Sequence, residues 1–276
     1  MSDGPQRIND GDMGLPKTLL DQINRYREFG PDPFAPVEIE PGPDCPRCDD
    51  HHALAIRDAG SRLTTYIDCP DCAAKRTAER RIMQVAAVPP AYQHTFEDYA
   101  RHAPKGSLKY AATAREWAQS GEGSIMFQGN TGVLKTTLAS SAYLWRIENR
   151  DVRSAEWTKA AAVIAEIRRS YDRDTRGPTA TDILERIRGC DLLLLDDVGA
   201  VAINDKNAAW VHETLNTILD WRHDWQLPCI FTSNLSVAYL KAQLGDAIVS
   251  RIVGMSAGGH NIIVMDDAGG DMRYAH

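Results

Sequence analysis

The segment at residues 129–137 constrains the fold of this chain more than any other, and its sequence is Gly-Asn-Thr-Gly-Val-Leu-Lys-Thr-Thr. It matches a nucleotide phosphate-binding loop, G-x-x-x-x-G-K-[ST], except that Leu134 replaces the second glycine. An apolar run at 124–128 predicts a strand before the loop, and residues 135–149 predict a helix after it. This context fits the motif, because backbone N–H groups of such a loop and the helix N-terminus hold phosphates.

Leu134 is a physically serious departure from the motif. A glycine at this bend lets the backbone close around the phosphates without a Cβ atom in the way. We therefore expect weakened nucleotide affinity, distorted loop geometry, or both. The alternative interpretation of the segment is a glycine-bearing turn before an amphipathic helix. In the nucleotide interpretation, Lys135 contacts the β- and γ-phosphates of ATP, and the Thr136 hydroxyl ligates Mg²⁺. The predicted loop residues are Gly129, Asn130, Thr131, Gly132, Val133, Leu134, Lys135, Thr136 and Thr137.

Two acidic residues, Asp196 and Asp197, follow the continuous apolar run Leu192-Leu193-Leu194-Leu195. Such a run is typical of a strand buried on both faces, and its carboxyl end would lie beside the phosphate loop. Asp196 is predicted to hold Mg²⁺ through water, and Asp197 to act as the general base for the attacking water. The alternative is a strand followed by a helix-capping aspartate.

Strand and helix signals alternate from about residue 91 onward. Further strands are predicted at 152–157, 228–232 and 261–265, and helices at 158–171 and 206–225, among others. Thr158 is positioned to cap the first of these helices. Strands separated by helices indicate an α/β fold with a parallel sheet and helices on both faces.

The composition of the chain limits its class. Its 276 residues carry a formal net charge of -7, which argues against a general basic surface for nucleic acid. No apolar run approaches the ~18–20 residues of a transmembrane helix, and residues 1–12 lack the apolar core of a signal peptide. We therefore expect a cytoplasmic protein with no membrane partner, in which cysteines are metal ligands or buried thiols.

Four cysteines form two C-x-x-C pairs with the spacing of a zinc ribbon, namely Cys45, Cys48, Cys69 and Cys72. Four thiolates give Zn²⁺ a closed tetrahedral shell, which is the arrangement of a structural site. His51 and His52 are possible substitutes for one cysteine, with exposed surface histidines as the alternative, whereas Cys190 and Cys229 are predicted to be core thiols. The predicted domains are a zinc-binding module at 1–87, with one short helix near 15–27, and an α/β domain at 88–276.

Two polar residues later in the chain, Asn234 and Arg251, are further candidates for the nucleotide site. Asn234 follows the predicted strand at 228–232, where its side chain could lie between the acids and the γ-phosphate, although asparagine is also common in turns. Arg251 follows an amphipathic segment and could reach a nucleotide bound to a neighbouring subunit. The alternative for Arg251 is a solvated or salt-bridged surface residue.

These motifs together resemble those of AAA+ ATPases, and more narrowly the DnaC/IstB-like family, which contains replicative helicase loaders. The resemblance covers about residues 88–265 and includes the segments L-L-L-L-D-D-V-G, F-T-S-N-L and L-G-D-A-I-V-S-R-I. It implies the parallel strand order 5-1-4-3-2, Asn234 as a sensor of the γ-phosphate and Arg251 as an arginine finger. It also implies self-association in an arc or spiral with ATP between subunits.

The resemblance also suggests partners. Zinc-bearing N-terminal domains of helicase loaders resemble helicase-docking modules, and an inserted helix after the second strand lines the path of single-stranded DNA in related proteins. The corresponding cations here, for which a solvated helix face is the alternative, are Lys159, Arg168, Arg169, Arg173 and Arg176. A rival basic patch consists of Lys75, Arg76, Arg80 and Arg81. Aromatic residues are sparse near both in sequence, so base stacking is predicted to be minor.

The implied function is the ATP-dependent loading of a replicative DNA helicase onto single-stranded DNA during replication initiation. One alternative is a transposition helper ATPase of the IstB type, against which the N-terminal zinc module argues. The other is a non-hydrolysing adaptor that binds the helicase but has lost ATP through Leu134.

Overall fold

The structure is a computed structural model that describes residues 45, 47–48, 53–57, 64–171 and 177–265. The chain divides into two compact units, a first unit at Met1–Ala86 and a second unit at Ala87–His276. The helix expected near 15–27, His51, His52, Arg173 and Arg176 lie outside the described residues. Within the described ranges, no helix is both long enough and apolar enough to cross a membrane.

The first unit contains a short hairpin followed by a helix. Strand β1 (Ala53–Arg57) pairs antiparallel with β2 (Thr64–Asp68), with Ala53 opposite Asp68. Helix α1 (Pro70–Ala86) begins with a proline, which is favourable at the first helical position because no intrahelical N–H bond is lost there. This helix carries the basic patch of Lys75, Arg76, Arg80 and Arg81.

The second unit is built on a five-stranded parallel sheet with the order β4-β5-β6-β3-β7. Counted along the chain from β3, this order is 2-3-4-1-5, which is the predicted 5-1-4-3-2 read from the opposite edge. The strands are β3 (Ile125–Gln128), β4 (Ala155–Lys159), β5 (Leu192–Asp196), β6 (Cys229–Ser233) and β7 (Ile262–Val264).

Helices cover both faces of this sheet, as the alternation of signals predicted. Leu193 and Leu195 join one core cluster with the apolar faces of α5 to α9, while Leu192 and Leu194 point to the opposite face. On that opposite face α4 contacts β3, β5 and β6. The helices are α2 (Phe96–His102), α3 (Leu108–Ser120), α4 (Lys135–Asn149), α5 (Ala160–Arg169), α6 (Ala180–Gly189), α7 (Ala208–Asp224), α8 (Val237–Leu244) and α9 (Asp246–Met255).

The predicted boundary between β4 and α5 is wrong by a few residues. The strand lies at Ala155–Lys159 rather than at 152–157, and Thr158 belongs to it instead of capping the helix. Lys159 occupies the N-cap position with an extended backbone and makes no side-chain capping bond. A β-branched threonine fits a pleated strand well, and here pairing with β5 outweighs the local capping preference.

Arg222, near the end of α7, is fully buried at 0% exposure and connects several elements through hydrogen bonds. Its Nη1 donates to the carbonyl oxygens of Ile187 and Cys190 at 3.2 and 2.8 Å, where α6 ends. Its Nη2 donates to the Pro228 carbonyl at 2.8 Å, and its Nε to the Cys229 Sγ at 2.9 Å. Cys190 and Cys229 are buried core thiols, as predicted.

Candidate functional site

The phosphate loop begins at a glycine that is tightly packed between two strands. The N–H of Gly129 donates to the carbonyl of Ser233 at 3.1 Å, which ties the loop to the end of β6. A Cβ atom at Gly129 would lie 3.0 Å from the carbonyl oxygen of Met265, just after β7. A larger residue here would force the backbone to move, which explains on steric grounds why the motif begins with glycine.

Leu134 adopts the left-handed conformation that favours glycine, with φ 61° and ψ 28°. This conformation costs a residue with a side chain about 1–2 kcal/mol. The backbone therefore follows a path suited to the missing glycine, and the leucine bears the strain. Leu134 is also the N-cap of α4 and offers no side-chain capping bond to the N–H groups of the first turn.

The N-terminus of α4 and the Lys135 side chain form an anion-binding arrangement. The first turn of α4 contains no acidic residue, and its N–H groups have no intrahelical acceptor. Lys135 Nζ donates to the carbonyl of Asn130 at 2.6 Å, which keeps the ammonium group over the loop. Backbone donors, a helix dipole and a cation together suit the phosphates of a nucleotide.

Asp196 connects the phosphate loop to two neighbouring strands. This aspartate, the last residue of β5, is 3% exposed, and its Oδ1 accepts hydrogen bonds from Thr136 at 2.8 Å and Thr232 at 2.7 Å. The Thr136 and Asp196 side chains are therefore in contact, as expected for a strand end that lies beside the phosphate loop. Carboxylate and hydroxyl oxygens beside a phosphate loop are ligands that Mg²⁺ accepts.

Thr232 has a place in this network that the sequence analysis missed. Its hydroxyl donates to Asp196 and accepts the backbone N–H of Asp197 at 2.8 Å. The sequence signal that could have identified Thr232 is its position near the end of β6, because the carboxyl ends of parallel strands share one edge of the sheet. Thr232 therefore fixes the positions of both acids.

Asp197 has the geometry of a proton acceptor. It adopts a left-handed backbone with φ 52°, and its Oδ1 is buried without a hydrogen-bond partner in the described part of the chain. Burial and the neighbouring Asp196 raise the pKa of the Asp197 carboxyl, while Lys135 and Lys159 oppose this rise. An uncommitted carboxylate oxygen with a raised pKa is suited to general base chemistry.

Asn234 lies close to the segment that follows the two acids. It is exposed and comes directly after β6, and a Cβ atom at Gly199 would lie 3.1 Å from its Oδ1. Gly199 belongs to the short 3₁₀ turn after Asp197. Asn234 therefore lies beside the turn that follows Asp196 and Asp197.

Arg251 is engaged by its own chain. It lies on α9, where it pairs with Asp220 of α7 and donates from Nη1 to the carbonyl of Ala247 at 3.0 Å. These contacts join two helices and include no residue of the phosphate loop. Among the described residues of one chain, Arg251 therefore makes no direct contact with the phosphate loop.

The four cysteines of the two C-x-x-C pairs converge in the first unit. Their sulfur atoms all lie within 4.8 Å of one another, with Cys45 Sγ 3.8 Å from Cys69 Sγ and Cys48 Sγ 3.5 Å from Cys72 Sγ. A tetrahedral zinc ion with Zn–S bonds of about 2.3 Å requires sulfur–sulfur distances of about 3.8 Å. The cluster therefore fits Zn²⁺ with four thiolate ligands.

Comparisons with known proteins agree with this geometry. A family model described as IstB-like ATP binding protein matches residues 68–256. The replicative helicase loader DnaI of Bacillus subtilis (strain 168) is 27% identical over 129 residues, which cover 46% of this chain and 38% of that relative. The match thus spans well under half the length of the curated relative.

Solved structures share the fold of the second unit. The DnaC helicase loader superposes with a TM-score of 0.53 at 23% identity, covering 64% of this chain and 99% of that chain. Domain III of the Thermotoga maritima replication initiation protein DnaA gives 0.52 at 20% identity, covering 67% and 71%. DnaI gives 0.50 at 21% identity, covering 65% and 90%. The fold and the family match together confirm the resemblance stated from the motifs, and the chain belongs to the IstB-like ATP binding protein family.

Proposed function

We propose that this protein binds ATP with Mg²⁺ at the edge of its parallel sheet and uses it to load a replicative DNA helicase onto single-stranded DNA. The observation that carries the proposal is the contact of Thr136 and Thr232 with Asp196. This contact joins the phosphate loop to the acid pair in a chain whose relative DnaI is a replicative helicase loader.

Each residue of the site has a distinct role in the proposed reaction. Lys135 offsets the charge of the β- and γ-phosphates, and Thr136 and Asp196 would hold the magnesium ion. When bound, Mg²⁺ supplies charge neutralisation at the phosphates. Asp197 accepts a proton from the attacking water through its carboxylate, and Asn234 orients that water.

Arg251 acts between subunits in this proposal. Copies of the chain assemble in an arc or spiral, and Arg251 of one copy approaches the γ-phosphate bound by the next, where it stabilises the charge that develops during transfer. The Arg251 side chain is 32% exposed on its own subunit, which supports access by a neighbouring copy. ATP then holds the assembly together, and hydrolysis releases it.

The first unit docks the helicase, and zinc stabilises its fold. The described residues of this unit form a two-stranded hairpin, one helix and four converging sulfur atoms, and this described part has too little regular structure for a large apolar core. A metal ion with four thiolates supplies the missing stability.

Cys72→Ser is expected to abolish stoichiometric zinc binding and to unfold the first unit, because one of four thiolates is lost. Metal analysis of the purified protein should fall from about one zinc ion per chain to a small fraction of that. Binding to the helicase should fall with it, while ATP binding by the second unit persists. The matched control is Cys190→Ala, which removes a buried thiol outside the cluster and should leave the zinc content unchanged. Equal zinc content in Cys72→Ser and wild type would contradict the assignment.

Calorimetry of ATP binding with Mg²⁺ tests the nucleotide site. Lys135→Ala is expected to weaken binding by about 10–100-fold, because a charge-assisted hydrogen bond to phosphate is lost. Leu134→Gly is expected to stay within roughly threefold of wild type, since the loop already has its left-handed backbone before ATP binds. Binding that appears only in Leu134→Gly would instead support the nucleotide-free adaptor and overturn the ATP-dependent mechanism.

A transposition helper ATPase is the second candidate, because the matching family is described as IstB-like. The two candidates differ in their partner. Loading predicts that the full chain binds a replicative helicase and increases DNA unwinding, and that Cys72→Ser loses both effects. Association with a transposase, without any effect on a helicase, would favour the second candidate.

A further inference from the structure

A glutamine on α8, Gln243, holds the short turn that follows the two acids, residues 198–201, which we call the acid turn. The Nε2 of Gln243 donates to the carbonyl oxygens of Gly199 and Val201 at 2.9 and 3.0 Å. Both partners are acceptors, so they require the nitrogen of the amide, and not its oxygen, to face the turn. The Gln243 side chain is partly buried. It therefore binds the acid turn at two points.

The acid turn continues directly from Asp197, the residue with the geometry of a proton acceptor. Asp197 is the N-cap of the 3₁₀ turn, and its carbonyl accepts the N–H of Ala200 at 2.9 Å. Its left-handed backbone, with φ 52°, is a conformation that persists only where the surroundings hold it. The hydroxyl of Thr232 accepts the Asp197 N–H at 2.8 Å. Gln243 supplies the second restraint, on the residues that follow.

Close packing also restrains the acid turn. A Cβ atom at Gly199 would lie 3.0 Å from the Leu235 side chain and 3.1 Å from the Oδ1 of Asn234. The segment after β6 therefore limits how closely the turn can approach it. The two hydrogen bonds from Gln243 resist withdrawal of the turn from α8.

The other end of α8 is attached to the start of the phosphate loop. The N–H of Val237, the first residue of α8, donates to the Oε1 of Gln128 at 3.2 Å, and Gln128 directly precedes Gly129. Gln243 lies in the last turn of the same helix. Its eight residues span about 12 Å as one stiff element. Helix α8 therefore connects the phosphate loop to the acid turn.

We propose that Gln243 is a positioning residue for ATP hydrolysis, which fixes the acid turn so that the Asp197 carboxylate meets the attacking water. The inference rests on the proposed function, because it needs Asp197 to act as the base. Gln243 acts through Asp197 and not on the nucleotide. Its loss should lower the hydrolysis rate but not ATP affinity, because both hydrogen bonds of its amide end at the acid turn.

Three substitutions at Gln243 test this role by steady-state hydrolysis and calorimetry. Gln243→Ala is expected to lower the rate at saturating ATP by about 10–100-fold, with ATP affinity within about threefold of wild type. Gln243→Glu should do the same, because a carboxylate does not donate hydrogen bonds. Gln243→Lys should regain at least about a third of the wild-type rate, because an ammonium group donates to carbonyl oxygens.

Gln119→Ala is the matched control, since Gln119 is an exposed glutamine on α3, and it should keep both the rate and the affinity. A wild-type rate in Gln243→Ala would overturn the proposal. Equal losses in Gln243→Lys and Gln243→Glu would also overturn it, because hydrogen-bond donation would then not be the cause.

A double substitution separates positioning from a general effect on stability. In the Asp197→Asn background, Gln243→Ala should lower the residual rate by less than about twofold, because the base through which it acts is gone. The full loss in both backgrounds would exclude action through Asp197.

The pH profile of hydrolysis is a second readout of the positioning role. Burial raises the pKa of Asp197, and the charged groups that act on it are Asp196, Lys135 and Lys159, all of which Gln243→Ala retains. A freer acid turn admits water to the carboxyl, so its pKa should fall toward the usual value. The loss of rate at low pH should therefore move to lower pH. An unchanged profile would contradict the positioning role.

Hydrogen exchange tests the acid turn without any nucleotide. The N–H of Ala200, which donates to the Asp197 carbonyl, should exchange faster in Gln243→Ala than in wild type. A wild-type protein that hydrolyses no ATP would refute the proposed function, and unchanged exchange at Ala200 would then refute the hold of Gln243 on the turn as well. Equal hydrolysis by wild type and Gln243→Ala would refute this inference alone.

Discussion

Arg222→Ala is expected to lower the free energy of unfolding of the second unit by about 3–5 kcal/mol. The side chain is 0% exposed and donates hydrogen bonds to backbone carbonyls where α6 ends and where β6 is about to begin. Alanine leaves a cavity and removes donors from buried carbonyl oxygens, which water does not reach. The end of α6 also loses a cation that interacts favourably with the helix dipole.

Chemical denaturation followed by circular dichroism measures this effect. Arg222→Met separates the two causes, because methionine fills most of the volume but donates no hydrogen bond. We expect it to restore less than half of the lost stability. Arg101→Ala is the matched control, since Arg101 is 69% exposed and pairs with Asp98 at the surface, so its loss should cost less than about 1 kcal/mol. Stability of Arg222→Ala within that same margin would contradict the structural role of Arg222.

Asp197→Asn is expected to lower the rate of ATP hydrolysis at saturating ATP by about 100-fold or more, with little change in ATP affinity. An amide has no basic oxygen that can take a proton from water, but it has nearly the same shape. The backbone N–H of Asp197 keeps its bond to Thr232, so the loop and Asp196 should stay in place. Steady-state hydrolysis and calorimetry on the same preparation measure the two quantities.

The pH dependence of the reaction gives an independent check on Asp197. Burial and the charge of Asp196 raise its pKa above the usual aspartate value of about 3.9. Hydrolysis needs the deprotonated form, so the rate should fall as the pH is lowered through this raised pKa. Asp151→Asn is the matched control, because Asp151 is an exposed acid between α4 and β4, and it should keep both the rate and the profile. A normal rate in Asp197→Asn would exclude Asp197 as the base.

The sequence predicted those features of the fold that depend on local patterns. Helix α4 begins and ends at the predicted residues, because the phosphate loop marks its start and a polar, charged stretch follows its end. The four-leucine run of β5 is buried as expected for a central strand. The strand order followed from the motif resemblance, and periodicity alone does not specify which parallel strands are neighbours.

Features that depend on tertiary contact were not predictable in the same way. The sequence around Arg222 resembles that around an ordinary surface arginine. The carbonyl groups that accept its hydrogen bonds lie up to 35 residues away along the chain. Thr232 acquires its role only when β5 and β6 meet in the sheet. The end of β4 was misplaced because Thr158 suits both a strand and a helix cap, and only pairing with β5 decides between them.

Helix α5 also has a mechanical consequence. It begins directly after Lys159, whose backbone is in register with Asp196, and Tyr171 follows its last residue by two positions. Ten helical residues span about 15 Å, and no loop interrupts this path. A force applied at the exposed Tyr171 would therefore reach the acid edge through one stiff element. A displacement of the exposed end of α5 would therefore also displace Lys159, the residue in register with Asp196.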